Sequence, residues 1–303
     1  MPNMATFDSA VAVDGAASPA QPATWYCDQL ERGKVIFFGN VPFDFPEDDR
    51  KFLLAQKQTG SRLHKNISYR PVSDALNGVS ANSPDRERMH RVMRKFSAES
   101  AKFLAGFLAP YGGQLKMDFA SFRPLEEQGR DLSLHKRNDL LHVDAFPSRP
   151  TNGGRILRIF VNINPSAGRV WRVGEPFHAF LPRVAGTNRL NPPYRGVAGR
   201  ALARVAAGVG LPVPVRSRYD EFMLYLHDWL KESDDFQKNS GAREVVFPPG
   251  CCWMVYTDGV PHAVLSGQYA LEQTFIVPRG ALVTAEVAPV SVLESTTGTK
   301  MAS

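Results

Sequence analysis

The chain has 303 residues, of which 43% are hydrophobic, and its formal net charge at pH 7 is +6. This length allows one large domain or two small ones with a substantial core. No run of about 18 apolar residues occurs, so no transmembrane helix is expected. The positive charge indicates an anionic partner, which is a membrane, a nucleic acid or a charged ligand.

The cysteines are few and badly placed for crosslinking. Only Cys27, Cys251 and Cys252 occur, and two neighbouring cysteines on a strand point to opposite faces. This spacing suits neither a disulfide framework nor a metal pair. We therefore expect three small core residues in a reducing compartment, with the cytoplasm as the location.

Both ends of the chain have the composition of unstructured segments. Residues 1–24 are mostly small or polar and lack the basic and apolar regions of a signal peptide, so they predict a disordered tail. Residues 286–303 predict a flexible C-terminal tail. No internal repeat or sharp linker interrupts the rest, which predicts a single domain over residues 25–285.

The first half of the chain contains helices after one short strand. Residues 35–38 predict a strand, and a helix follows Pro46, whose acidic successors suit a first helical turn. A longer amphipathic helix carries Met89, Val92, Met93 and Phe96 on one face. We expect these N-terminal helices to pack outside a β-core.

From residue 118 onward the pattern changes to strands, and residues 156–164 are the clearest example. The odd positions from Leu157 to Ile163 are all apolar, whereas the even positions include Arg158 and Asn162. Because side chains alternate along a strand, the odd face should pack under the helices. The even face should line a polar interior, with Arg158 pointing into it.

The second half adds an apparent insertion between strands. Residues 185–216 are rich in Gly, Ala, Arg and Pro, and residues 219–231 predict an amphipathic helix, so we interpret residues 185–235 as a helical insertion or lid. Residues 245–247, 253–256 and 270–277 predict further strands. The chain is therefore expected to be α+β and mainly β.

A candidate metal site joins two distant parts of the sequence. His142 and Asp144 flank Val143, and on a strand both polar side chains would lie on one face. His262 lies far downstream and would complete a set of two imidazoles and one carboxylate. This set suits non-haem Fe(II) and leaves three coordination positions open. The intervening length is sufficient for a double-stranded β-helix. The alternative is a chance pair of polar residues at a strand end.

Arginines cluster around this motif. Arginine presents a rigid fork of donors that matches carboxylates and phosphates. Six lie in the surrounding segment, namely Arg123, Arg130, Arg137, Arg149, Arg155 and Arg158. They indicate an anionic ligand at the metal site, and the alternative is a solvated basic loop.

Several stretches of the chain resemble the Kdo hydroxylase family, which acts on 3-deoxy-D-manno-oct-2-ulosonic acid. The resemblance extends over roughly residues 25–280. It is carried by residues 65–69, 121–124, 137–151, 154–165 and 257–262. It implies an Fe(II)/2-oxoglutarate-dependent dioxygenase with a double-stranded β-helix (jelly-roll or cupin-like) core. The family's metal ligands, which are also its catalytic residues, map onto His142, Asp144 and His262.

The resemblance implies hydroxylation at C3 of the outer Kdo sugar of Kdo2-lipid A, a modification of the lipopolysaccharide inner core. Fe(II) is then the cofactor, and 2-oxoglutarate and O2 are co-substrates that leave as succinate and carbon dioxide. The lipid substrate implies peripheral contact with the cytoplasmic face of the inner membrane. No nucleic acid is expected, because arginines and aromatic residues are not interleaved.

One position departs from the pattern of many 2-oxoglutarate enzymes, which place an arginine on the last strand. Here that place holds Gln273 and Thr274, so a cation must come from elsewhere. Arg158 is the first candidate by strand alternation and Arg155 the second. Gln273, Thr274 and Asn162 are expected to contribute hydrogen bonds.

The remaining basic residues near the motif are candidates for binding the anionic substrate. They are Arg123, Arg130, Arg137, Arg149, Lys65 and His135. Two alternatives stay open: a 2-oxoglutarate oxygenase acting on a protein or nucleobase, and a non-catalytic β-helix module that binds an anionic sugar.

Other polar residues are expected to have structural roles. We interpret His64, His90, His178 and His227 as surface or hydrogen-bonded histidines. Asp258 either orients His262 or serves as a turn carboxylate. A further set is expected to pair with the arginines, namely Glu126, Glu127 and Asp139.

Overall fold

The computed structural model describes residues 10–13, 20–56, 66–185, 192–194, 196–211 and 213–302. Its larger sheet has eight strands in the order β1-β2-β9-β6-β11-β5-β3-β4. The strands are β1 (Ala10–Val13), β2 (Val35–Phe38), β3 (Ile67–Arg70), β4 (Ala75–Asn77), β5 (Lys116–Arg123), β6 (Arg155–Asn162), β9 (Cys252–Tyr256) and β11 (Ala270–Val277). All neighbours pair antiparallel except β1 and β2, which are parallel.

A smaller sheet packs on one face of the larger one. It contains β7 (Arg169–Val173), β8 (Arg243–Phe247) and β10 (His262–Ser266), in the order β10-β7-β8. Trp171 meets Phe160 of the larger sheet edge to face, with ring centroids 4.9 Å apart, and Phe247 stacks on Trp253 at 3.9 Å. These large aromatic contacts hold the two sheets together.

The opposite face of the larger sheet is covered by helices. They are α1 (Ala23–Glu31), α2 (Glu47–Leu54) and α3 (Arg86–Phe107). Leu157, Ile159 and Val161 are fully buried in the core that these helices share with the sheet, while Phe160 belongs to the core between the sheets. The alternation predicted for residues 156–164 is therefore confirmed, as is the position of the N-terminal helices.

The cysteines follow the same geometry. Cys252 lies in the core beneath the helices, and Cys251 lies in the core between the sheets. All three cysteines are free and buried. The expectation that the adjacent pair points to opposite faces is confirmed.

Between β7 and β8 the described residues form four helices. They are α4 (Phe177–Ala185), α5 (Val197–Gly208), α6 (Arg218–Glu232) and α7 (Asp234–Asn239). The predicted helix over residues 219–231 is confirmed as α6, whose Ser217 and Asp220 form a capping box. Leu226 and Leu230 of α6 bury one side of this helix against the segment that carries Leu141 and Val143. Within the described residues, no helix is both long and apolar enough to cross a membrane.

Both predicted tails contain regular structure. Residues Ala10–Val13 pair with β2 in parallel, and α1 begins at Ala23, so the prediction of disorder over 1–24 is wrong for these residues. At the other end, α8 (Pro289–Thr297) buries Val290 and Leu293 against α4 and α6. The prediction of a flexible tail over 286–303 is therefore wrong for residues 289–297. Short apolar segments flanked by polar residues acquired order from tertiary packing, which composition does not show.

We expect Leu293→Ala to lower the free energy of unfolding by about 2–5 kcal/mol, because it removes a buried leucine from a packed core. Ser295→Ala, on the exposed side of the same helix, is the matched control and should change stability by less than about 0.5 kcal/mol. Urea denaturation followed by circular dichroism measures both. Equal stability of the two variants would contradict the packing of α8.

Candidate metal centre

Two distant segments are joined by backbone hydrogen bonds at the point where the candidate ligands lie. The His142 N–H donates to the His262 carbonyl at 3.1 Å, and the His262 N–H donates back at 2.9 Å. The Asp144 N–H donates to the Thr257 carbonyl at 2.8 Å. The predicted strand around His142 is a single bridge rather than a strand. Its local pairing nevertheless brings both segments into one site.

The three side chains converge in the interior. One ligand atom from each of His142, Asp144 and His262 lies within 4.8 Å of the others, and all three residues are buried. The Nδ1 atoms of the histidines lie 2.7 Å from the Leu140 carbonyl and 2.9 Å from the Val260 carbonyl. Because a carbonyl only accepts, Nδ1 carries the proton in each ring and Nε2 is left to bind a metal.

The surroundings favour the protonation states that bind a metal. Burial lowers the pKa of His142 well below its usual value, with further lowering from the neighbouring His262, and burial also lowers the pKa of His262. Burial alone would raise the pKa of Asp144. The charge of Arg158, the two neighbouring histidines and a hydrogen bond from Thr257 together outweigh burial, so the pKa lies below its usual range. Neutral imidazoles beside a carboxylate are the forms that coordinate a divalent metal.

The carboxylate of Asp144 supports this interpretation. Its Oδ2 is buried and, among the described residues, has no hydrogen-bond partner, although Arg158 Nε lies 3.2 Å away without hydrogen-bond alignment. A buried carboxylate oxygen without a donor is costly unless a ligand meets it. The residues therefore fit a divalent metal, and two imidazoles with one carboxylate are the set typical of non-haem Fe(II).

Beside the ligands lies a cluster of oppositely charged side chains, called the floor of the site. It contains Arg123, Arg158, Arg169, Glu127 and Glu272. Arg123 forms hydrogen bonds of 3.0 and 3.1 Å to the carboxylate of Glu272 and one of 3.3 Å to Glu127. Arg169 lies 3.5 Å from Glu127, and Arg158 lies 3.6 Å from Glu272. Each glutamate thus separates two guanidinium groups that would otherwise repel each other.

The site opens into a cavity of about 650 Å³. Its lining is rich in cations and also contains the three candidate ligands. The other polar side chains that line it are Asn66, Arg123, Arg130, His135, Lys136, Asn138, Arg158, Arg169, His227, Lys231 and Glu272. Four predicted residues, Arg123, Arg130, His135 and Arg158, therefore reach this cavity. Lys65 lies outside the described residues.

Two arginines predicted to bind substrate lie elsewhere. Arg137 forms hydrogen bonds of 3.0 and 2.5 Å to Asp139, and Arg149 forms one of 2.5 Å to Asp118. Neither lines the cavity. Each has a nearby carboxylate that holds its guanidinium away from the site, so these two assignments are corrected.

Arg155 is likewise not a cavity residue. It occupies an odd position of β6 and therefore points away from Arg158. Its Nε donates to Asp258 at 2.8 Å, and its guanidinium lies 4.1 Å from the Tyr256 ring centroid. This buried pair corrects the assignment of Arg155 to 2-oxoglutarate. It also shows that Asp258 partners Arg155, whereas the Val260 carbonyl orients His262.

Two of the three uncharged candidates are engaged elsewhere. Asn162 donates from Nδ2 to the Ala167, Phe247 and Pro248 carbonyls. Gln273 pairs with Ile159 on the helix-covered face and donates to the Asp118 carbonyl at 2.9 Å. Their expected hydrogen bonds to 2-oxoglutarate are therefore corrected. Thr274 lies opposite Arg158 on the inner face, and its hydrogen bond to 2-oxoglutarate stays a prediction.

His227 and Lys231 of α6 were not identified from the sequence as cavity residues. The His227 ring lies 5.0 Å from that of His142, and its Nδ1 lies 2.7 Å from the Val143 carbonyl. Lys231 donates to the His135 carbonyl at 2.8 Å. These side chains are four residues apart and so share one helix face, which is the one sequence signal that links them.

Glu127 and Asp139 partner arginines as expected, whereas Glu126 accepts from the backbone N–H groups of Glu127 and Gln128. Trp171 and Trp253 are core residues, and Trp171 also stacks on the His262 ring at 5.3 Å. Trp171 therefore fixes the orientation of a candidate ligand in addition to filling the core.

A buried facial triad between two sheets, opening into a cationic cavity, is typical of the non-haem Fe(II) oxygenases. A family model described as 3-deoxy-D-manno-oct-2-ulosonic acid (Kdo) hydroxylase matches residues 14–300. The chain therefore belongs to the Kdo hydroxylase family. Comparison with curated protein sequences finds no significant match.

Solved structures of the Kdo hydroxylase KdoO, described as a non-haem Fe(II) alphaketoglutarate-dependent dioxygenase, are similar over nearly the whole chain. Its apo structure is 37% identical, with 97% of each chain covered and a TM-score of 0.84. Its complex with alphaketoglutarate and Fe(III) is also 37% identical, with 96% of this chain and 97% of that chain covered and a TM-score of 0.83.

We expect Arg155→Met to lower the free energy of unfolding by about 3–5 kcal/mol, because Asp258 would remain buried without its partner. Arg137→Met makes the same change in a half-exposed ion pair and should cost less than about 1 kcal/mol. Guanidinium denaturation compares the two variants. If Arg155→Met lost less free energy of unfolding than Arg137→Met, a structural role for the Arg155–Asp258 ion pair would be contradicted.

Proposed function

We propose that this protein is an Fe(II)/2-oxoglutarate-dependent dioxygenase that hydroxylates C3 of the outer Kdo sugar of Kdo2-lipid A. The observation that carries the proposal is the buried His142, Asp144 and His262 set in a member of the Kdo hydroxylase family. Fe(II), with 2-oxoglutarate and oxygen, would supply the C–H hydroxylation chemistry when bound. The sugar gains one oxygen atom, and 2-oxoglutarate leaves as succinate and carbon dioxide.

We further propose that the core is a double-stranded β-helix of the jelly-roll type. From β5 onward the chain passes back and forth between the sheets: β5, β6, β9 and β11 lie in the larger one, and β7, β8 and β10 lie in the smaller one. The bridge at His142 adds its segment to the edge of β10. This alternation supports the proposal, because it places the ligands at one open end between the sheets.

The dianionic co-substrate needs donors near the metal that are not already used. All three nitrogens of Arg123 already donate to Glu272 or Glu127, whereas the Nε atoms of Arg158 and Arg169 are buried and, within the described residues, lack hydrogen-bond partners. Arg158 is the guanidinium beside Asp144. We therefore assign the far carboxylate of 2-oxoglutarate to Arg158, with Arg169 nearby.

We expect Arg158→Met to raise the KM for 2-oxoglutarate about 10- to 100-fold, because a charge-assisted hydrogen bond contributes about 1.5–3 kcal/mol. Arg137→Met, with the same change outside the cavity, should leave this KM unaltered. Succinate release at varied 2-oxoglutarate concentration measures both. An unchanged KM in Arg158→Met would assign the anchor to another residue.

The outer part of the cavity suits an acidic sugar. Arg130, His135, Lys136 and Lys231 line it, and Kdo carries a carboxylate that such cations would bind. Arg130 is already paired with Glu127 at 2.8 Å, whereas Lys231 contacts only a carbonyl by hydrogen bond among the described residues. We therefore propose that Lys231 contributes most to binding the sugar carboxylate.

Lys231 should make sugar binding depend on pH. Burial lowers its pKa to about 8, against the opposing charges of Asp144, Asp228 and Asp139. Its positive charge is therefore present below about pH 8 and lost above it, so the KM for the sugar substrate should rise roughly tenfold between pH 7 and pH 9. In Lys231→Arg the positive charge persists, so the KM should stay low from pH 7 to pH 9. In Lys231→Met the charge is missing, so the KM should stay high over the same range. If Lys231→Met keeps the pH dependence of the wild type, another group is responsible for it.

The substrate also implies a location. Kdo2-lipid A is a membrane glycolipid, so we propose that the protein works in the cytoplasm as a peripheral protein on the cytoplasmic face of the inner membrane. The net charge of +6 supports attraction to anionic lipids.

Mass spectrometry of Kdo2-lipid A after incubation with the protein, Fe(II), ascorbate and 2-oxoglutarate tests the activity. We expect one added oxygen on the outer Kdo, absent with His142→Ala and retained with His90→Ala, whose histidine lies outside the cavity. Nuclear magnetic resonance of the released sugar then locates the hydroxyl. Consumption of 2-oxoglutarate without oxygen on Kdo2-lipid A would reject the substrate while retaining the class of enzyme.

A further inference from the structure

The helix α5 and the residues after it expose an unusual amount of apolar surface. Among the described residues, nine large hydrophobic side chains are exposed, and five of them lie between Tyr194 and Leu211. Leu202, Val205 and Val209 are 70%, 64% and 73% exposed. At spacings of three and four residues they share one face of α5, while Ala203 on another face is buried against the protein. The apolar stripe therefore faces outward.

The sequence that contains this stripe carries charge of one sign. Residues 176–219 contain no aspartate or glutamate and seven arginines. The exposed Tyr194 contacts one of these arginines, because the guanidinium carbon of Arg218 lies 5.7 Å from its ring centroid. An apolar helix face with surrounding basic residues and an aromatic residue at its margin is the composition of a helix that lies in a membrane interface.

We propose that α5, with residues 209–211, is the membrane-docking surface of this protein and lies in the plane of an anionic bilayer. Leu202, Val205 and Val209 then enter the boundary between headgroups and acyl chains, and the neighbouring arginines contact lipid phosphates. This proposal deepens the proposed function, since it assigns the surface by which the enzyme reaches a glycolipid.

Other occupants fit these residues less well. A second copy placed face to face would bring two arginine-rich segments together without any acidic residue from residues 176–219 to separate them. A nucleic acid would satisfy the arginines but would leave the exposed leucine and valines in water. A bilayer with anionic headgroups satisfies both features at once.

The docking surface is followed closely in sequence by an element of the cavity wall. Ser217 caps α6 six residues after Leu211, and α6 carries His227 and Lys231 into the cavity wall. The docking surface therefore precedes in sequence the helix that forms one side of the cavity. In this proposal a sugar headgroup binds in the cavity while its lipid remains in the membrane.

The test uses the full chain with Leu202→Gln, Val205→Thr and Val209→Thr together, which removes the apolar stripe while keeping size and helix compatibility. The matched control is Met117→Gln with Val72→Thr and Val283→Thr, three exposed apolar residues outside the surface. Co-sedimentation with vesicles of phosphatidylcholine containing roughly one-third phosphatidylglycerol measures binding. We expect the stripe variant to bind at least about tenfold more weakly than wild type, and the control to bind equally well.

A second measurement does not depend on how well the triple variant folds. Leu202→Cys and Val72→Cys are each labelled with an environment-sensitive fluorophore, since the native cysteines are buried. Vesicles should raise the fluorescence at position 202 and leave that at position 72 unchanged, and high salt should reverse the rise. Equal binding by the stripe variant, or no change at position 202, would overturn the proposal. A dimeric wild type that the stripe substitutions make monomeric would overturn it in favour of a second copy.

Vesicle binding and hydroxylation are separable. Suppose that wild type and the stripe variant bind vesicles equally well, and that both hydroxylate detergent-dispersed Kdo2-lipid A at the same rate. Then only the docking surface is rejected. If position 202 responds to vesicles and no Kdo substrate is hydroxylated, the proposed function is rejected and the docking surface is retained.

Discussion

The burial of three titratable side chains at one point is the constraint on which this structure depends. Two imidazoles must stay neutral and one carboxylate must stay charged in a site largely removed from water. The fold meets this with reciprocal backbone hydrogen bonds between His142 and His262, carbonyl acceptors for both Nδ1 atoms, and the charge of Arg158 beside Asp144. The ligands are therefore oriented before a metal binds.

The floor of arginines and glutamates has the same physical origin. A site that accepts a dianion requires surplus positive charge, but unpaired guanidinium groups at this depth repel each other and lose hydration. Glu127 and Glu272 reduce this repulsion by contacting two or three arginines each. Even so, burial and the neighbouring Arg123 lower the pKa of Arg169 to about 10. Such residual destabilisation is what a bound anion would relieve.

Sequence periodicity predicted the parts of the site that depend on local geometry. The alternation along β6 placed Arg158 inward, and the same alternation already placed Arg155 on the opposite face. Arg155 has the charge that the cavity needs, but its odd position on β6 directs its side chain to the opposite face. The partner of Arg149, the order of α8 and the approach of His227 to His142 arise from packing between distant segments. One sequence carries no local signal for those contacts.

The two sheets and the helices between β7 and β8 contribute different properties to the cavity. The sheets position the ligands and the arginine floor through backbone register, where a shift of one residue would turn every side chain to the other face. The outer wall comes instead from α6, whose His227 and Lys231 reach the cavity because Leu226 and Leu230 pack against the segment that precedes Asp144. Helix packing tolerates substitution and small shifts better than strand register does. The metal ligands are therefore positioned by the sheets, while the proposed recognition of the anionic sugar would depend on elements that can vary without displacing those ligands.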